Sequence, residues 1–85
     1  MATKNISRVK IVDRKLGRQK AWGMCNFDTK LLEVDPRQDS KNYLDTMVHE
    51  MLHLYFPDEP EWRITKVATR MTNELWKRKY RRIQT

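Results

Sequence analysis

The segment His49-Glu50-Met51-Leu52-His53 constrains this chain more than any other stretch. Two imidazoles four residues apart meet on one face when the backbone between them is α-helical, because side chains at i and i+4 stack one turn apart. The pattern therefore asks for a helix through 49–53 and offers two ligands to one metal ion on it. Glu50 falls beside that face. Its carboxylate stays out of the ligand set but within reach of a water whose pKa a zinc ion lowers to about 7. His49 and His53 are the chain's only histidines, so any imidazole site is built from this pair.

The rest of the chain organises around that helix. Residues 6–12 mix β-branched and charged side chains in near alternation and read as a strand. A basic loop follows, then a second strand over 20–27, a turn at Asp28-Thr29-Lys30 and a short third strand over 31–34. Asp35-Pro36 ends it. Asp39 or Ser40 caps a helix running to about residue 55, with Leu44, Met47, Val48, Met51 and Leu52 on its apolar face and Pro57 beyond its end. A second helix starts near Pro60 and runs to about residue 81. The expected fold is thus α+β: a small N-terminal antiparallel sheet of about three strands, the helix carrying the motif, and a C-terminal helix.

Length and composition bound what such a chain does. Its 85 residues are read as one domain, small enough for a bound metal to add meaningfully to its stability. No run approaches the roughly 20 apolar residues of a membrane span, and the polar N-terminus lacks the core of a signal peptide. Cys25 is the single cysteine, so no internal disulfide forms, in keeping with a reducing, cytoplasmic setting. Trp22, Trp62 and Trp76 are expected as core or semi-buried packing rather than stacking platforms, since a small domain needs large side chains to fill its interior.

The net charge of +7 is unevenly spread. Residues 1–20 hold seven Lys/Arg against Asp13, and residues 63–85 hold eight against Glu74, whereas residues 21–62 hold three against nine Asp/Glu. The acidic middle carries the motif, which suits a cation. The basic flanks suit an acidic partner, nucleic acid included, or serve only as solvated faces. No aromatic-interleaved nucleic-acid motif accompanies Lys77-Arg78-Lys79 with Arg81 and Arg82, which favours the solvated reading.

A catalytic zinc takes three protein ligands and a water, so the two histidines need a third. On the second helix, Ile64, Ala68, Met71 and Leu75 recur at spacings of four, three and four and mark the inward stripe. Stepping that stripe back three residues reaches Glu61, a carboxylate that is costly there unless a cation meets it. Asp58, Glu59 and Cys25 are competing ligands. Glu61 also fits a capping box with Asp58, in which it serves only the helix start. Asp45, one turn before His49, is read either as a hydrogen-bond partner for a histidine ring or as an i,i+4 partner of Lys41.

From Asp45 to Arg82 the chain resembles minimal zincin-type metallopeptidase domains, distantly similar to the ImmA/IrrE-like and SprT-like groups. The matching residues are Asp45-Thr46 leading into His49-Glu50 and His53, then Pro57-Asp58, Glu61, the apolar positions Ile64, Val67, Ala68 and Met71, Leu75-Trp76 and Tyr80-Arg81-Arg82. The resemblance implies Glu61 as third ligand and Zn2+ as cofactor. It also implies a polypeptide substrate laid along an edge strand, here residues 31–34 or their hairpin partner. The third histidine of SprT-like proteins has no counterpart here. The expected activity is peptide-bond hydrolysis with Glu50 as general base; the alternative is a non-catalytic, zinc-stabilised binding module with basic flanks.

Overall fold

The computed structural model describes residues 8–17 and 21–83, so the start of the expected first strand and residue 20 of the second lie outside the described residues. Three strands precede two helices: β1 (Lys10–Asp13), β2 (Gly23–Asn26), β3 (Leu31–Val34), α1 (Ser40–Tyr55) and α2 (Glu61–Lys77). The α+β class is as the periodicity predicts.

The sheet is mixed, which corrects the expected antiparallel arrangement. Its order is β1-β3-β2: β3 pairs antiparallel with β2, Cys25 opposite Leu32, and parallel with β1, Ile11 opposite Leu32. The physical reason is that β1 and β2 lie on either side of a gap one strand wide, and the tight hairpin after β2 delivers β3 into it. That hairpin closes locally. Asn26 Oδ1 accepts hydrogen bonds from the backbone N–H of Asp28 (2.9 Å) and Thr29 (3.1 Å), and Lys30 adopts φ +57° to complete the turn.

β3 is therefore the central strand, and its alternation decides where the core lies. Leu32 and Val34 are fully buried and, with Leu54 of α1, form the core, against which Tyr43, Met47 and Met51 pack. Burying each such side chain contributes about 1.5–3 kcal/mol. Leu54, seven residues after Met47 and three after Met51, joins this core by extending the apolar face read from the sequence beyond Leu52.

The layers are sheet, α1, α2. The second helix packs against α1 and touches no strand, so α1 is covered on two sides and α2 on one. This explains why Ile64, Ala68 and Thr72 at uniform spacings of four are buried on α2, while Met71, expected on the stripe, is 42 % exposed. A narrow contact with a single helix leaves no room for the wider stripe. Asp39 caps α1 as expected, its carboxylate accepting from Asn42 N–H at 2.9 Å.

The second helix ends earlier than the expected residue 81. Lys79 turns left-handed at φ +73°, and the N–H groups of Lys79 and Tyr80 close back on the carbonyls of Trp76 and Leu75 at 3.0 Å each. This is a Schellman closure, made without glycine. Beyond it Arg82 returns to the body: its guanidinium donates to the Pro36 and Gln38 carbonyls at 3.1 and 3.2 Å and lies over the Tyr43 ring.

The loop from β3 to α1 is held by a buried carboxylate. Asp35 is 0 % exposed and accepts from Leu16 N–H (2.8 Å), Arg37 N–H (3.0 Å) and the Arg37 guanidinium (3.0 and 2.7 Å). Gln38 extends the knot by donating to the Trp22 and Asp35 carbonyls and accepting from Thr46 Oγ1. These bonds set the angle at which α1 leaves the sheet.

Candidate metal centre

On α1, His49 and His53 face the same way, their Nε2 atoms 3.2 Å apart and their rings edge-on with centroids at 4.8 Å. The turn at 56–60 reverses the chain so that the first residue of α2 faces this pair. Glu61 places one carboxylate oxygen 3.1 Å from His49 Nε2 and the other 2.7 Å from His53 Nε2. The His49–His53–Glu61 group is the one cluster of three or more His, Cys, Asp or Glu among the described residues with the spacing to hold a metal ion.

The donor chemistry fits a small divalent cation. Ligand atoms at about 2.1 Å from a tetrahedral zinc lie roughly 3.4 Å from one another, within a few tenths of an ångström of the two longer separations here. Lone pairs of two imidazoles and a carboxylate repel one another unless a proton or a cation stands among them. Two nitrogens and one oxygen favour zinc over the hard, all-oxygen cations. Thr65 Oγ1, one turn along α2, donates to Glu61 at 3.3 Å and steadies the carboxylate.

The competing third ligands fall away. Asp58 and Glu59 sit in the turn before α2, Glu59 pairing with Arg63 at 3.3 Å. The capping box does not form: Pro60 is the N-cap and no side chain caps the helix, which frees Glu61 to turn toward the histidines. Cys25 is also outside the group. Its thiol is pushed up to about 11, first by burial, then by the charge of Glu50 and a hydrogen bond to it.

Glu50 projects from α1 toward β2 as the motif requires, and the strand comes unusually near. A Cβ built on Gly23 would lie 2.5 Å from Thr46 Cγ2 and 3.0 Å from Glu50 Cγ, so only glycine admits this approach. Gly23 is a site residue the sequence reading missed, because a lone glycine in a strand signals close approach without saying to what. A shallow hollow of about 230 Å³ opens at this point, lined by Trp22, Gly23, Asp45, Thr46, His49 and Glu50.

Other expectations shift with the tertiary structure. Leu31–Val34 is paired on both sides, so its hairpin partner β2 is the edge strand beside the motif. Asp45 takes neither expected role: it accepts from Thr72 Oγ1 on α2 at 3.2 Å, and among the described residues no ion pair joins it to Lys41. Trp22 and Trp62 are 56 and 68 % exposed, against the expected packing, whereas Trp76 is half-buried as expected and carries Arg81 over its ring. Aliphatic and methionine side chains fill the core in their place.

Fold and site together define an α+β domain whose two helices bring a His-His-Glu cluster and an adjacent glutamate to one surface. No protein-family model matches the chain, and neither does any curated protein or solved structure. No described helix is long and apolar enough to cross a membrane.

Proposed function

We propose that this is a zinc-dependent peptidase of minimal zincin type, acting in the cytoplasm, with His49, His53 and Glu61 as metal ligands and Glu50 as general base. The observation that carries the reading is the convergence of both imidazoles of the motif with a carboxylate from the next helix, at 3.2, 3.1 and 2.7 Å. Zinc, when bound, supplies a Lewis acid that acidifies water and polarises a carbonyl.

The chain's own residues do the rest. Glu50, outside the ligand set and next to it on α1, takes a proton from the attacking water and hands it to the departing amine. Gly23 keeps the backbone of β2 against that carboxylate. β2 is an edge strand, with no described strand on its outer side, and its main-chain groups suit an extended peptide added alongside. The deciding experiment is elemental analysis and peptide turnover of wild type beside Glu50→Gln. One equivalent of zinc in both proteins, with turnover only in wild type, is the expected result; turnover retained in Glu50→Gln removes Glu50 from the mechanism.

A second reading has an observation of its own. Because α2 packs only on α1, an ion held by His49 and His53 on one helix and Glu61 on the other ties the outer layer to the inner one. In that reading the metal is a staple and the domain a binding module. Chelator-induced unfolding without turnover of any peptide library supports it.

A further inference from the structure

We infer that the hollow beside Trp22 is a subsite for a basic side chain of the substrate, so that the centre prefers peptides with lysine or arginine close to the cleaved bond. This rests on the peptidase reading of the same centre. The carrying observation is a groove along α1. The hollow containing His49 and Glu50 shares Trp22, Asp45 and Thr46 with a larger cavity of about 490 Å³ that continues to Gln38, Asp39 and Asn42.

The lining selects the occupant. Among the described residues, the lining of the larger cavity presents two carboxylates and no cation, so an acidic side chain would be repelled and a basic one attracted. Asp39 is committed to its cap, accepting from Asn42 N–H and Nδ2 at 2.9 Å each. Asp45 is the available partner, since Thr72 binds only Oδ1 and its other oxygen makes no bond with a described residue. The Trp22 indole, 56 % exposed, lines the same cavity. An apolar ring and a carboxylate in one cavity match a lysine or arginine side chain, whose methylenes lie on the ring while its charged head meets the acid. Lys41 lines the neighbouring hollow facing α2, which Asp45 and Asn42 also border, yet among the described residues no ion pair joins it to Asp45.

Spacing places the subsite relative to the chemistry. Asp45 is one helical turn before His49, about 6 Å along the axis, which an extended peptide spans in about two residues. The basic residue therefore lies one or two positions from the cleaved bond. Trp22 is held for this role through its backbone, whose carbonyl accepts from Asp35 N–H at 2.8 Å and Gln38 Nε2 at 3.3 Å. Replacing its side chain leaves those bonds intact.

The test compares kcat/KM of the zinc-loaded protein for matched peptides carrying lysine, norleucine or glutamate at each position near the cleaved bond. The expected order is lysine, norleucine, glutamate at one position, with lysine ahead of norleucine by on the order of tenfold. Asp45→Asn, which keeps the acceptor for Thr72, brings the lysine-to-norleucine ratio close to one. Trp22→Ala lowers it as well. A ratio of one in wild type, or one unchanged in both variants, overturns the subsite while leaving the peptidase intact. If wild type cleaves none of the peptides, the peptidase reading fails and binding decides the subsite separately. In Glu50→Gln, a lysine peptide shifts the Trp22 indole N–H resonance and its glutamate counterpart does not; no shift with lysine overturns the subsite.

Discussion

Two carboxylates in this molecule meet nitrogen partners in opposite ways. Asp35 is wholly buried, and every partner it has is a donor built into the chain: two backbone N–H groups and the Arg37 guanidinium. Glu61 has a side chain 66 % exposed at the head of a helix, and it faces two imidazoles that are themselves ready to ligate a metal. The first carboxylate is complete within the fold. On the proposed reading a metal ion completes the second, and the contrast then separates a residue that builds the structure from one that offers a site.

The most drastic way to break the contrast is to remove the reacting group beside Glu61. Glu50→Gln is expected to lower kcat by at least about a thousandfold in a peptide-turnover assay while leaving bound zinc at one equivalent. Next in size is Glu61→Ala. Loss of a group that merely orients a ligand costs 10–100-fold in metal affinity, so loss of the ligand itself is expected to cost more than about a hundredfold by competition titration. Unchanged affinity would return the third ligand to Asp58 or Glu59.

Gly23→Ala should act more mildly and on the base alone. Its new Cβ meets Thr46 and the Glu50 stem at 2.5 and 3.0 Å, so strand or helix has to shift. We expect kcat to fall by about tenfold with zinc affinity held, since displacing a catalytic group slightly is enough to lose rate. Equal loss of both would mean that the strand supports the histidines rather than Glu50.

Asp35 gives the smallest effect on the metal centre and sharpens the contrast in acid. The Arg37 guanidinium holds its carboxyl well below the usual carboxylate range, opposed by burial and helped by the Leu16 and Arg37 N–H groups. A depressed folded value means that this stability is fully present above the unfolded value near 4 and is lost as pH falls toward the folded one. Thermal melts of wild type should show Tm dropping below about pH 4, and Asp35→Asn should flatten that drop while leaving zinc affinity untouched. A change in zinc affinity would show that the two carboxylates are not independent.

Much of this was legible before any fold was known. The helix through His49 and His53, its cap at Asp39 and the short strand 31–34 follow from local rules, since periodicity, capping and turn chemistry act within a few residues. Glu61 was legible for the same reason, three positions before Ile64 on one stripe. Its freedom was not: Asp58 and Glu61 satisfy a capping box on paper, and only the observed start of α2 at Glu61 dissolves it. The mixed pairing of the sheet was hidden as well, because strand order depends on how the strands are placed relative to one another and not on any strand's own residues. The exposure of Trp22 and Trp62 was invisible for a related reason, as burial depends on which faces the other layers cover.

The sequence by itself determined that two imidazoles and a carboxylate would stand on helices at matched spacing, because helical geometry converts residue number directly into direction. Tertiary structure alone decided that Glu61 would meet them, that β2 would lie against Glu50 over Gly23, and that Trp22 and Asp45 would border one groove. Each of these is a meeting of segments far apart in the chain, and such meetings are set by the packing of whole layers rather than by the residues that happen to touch.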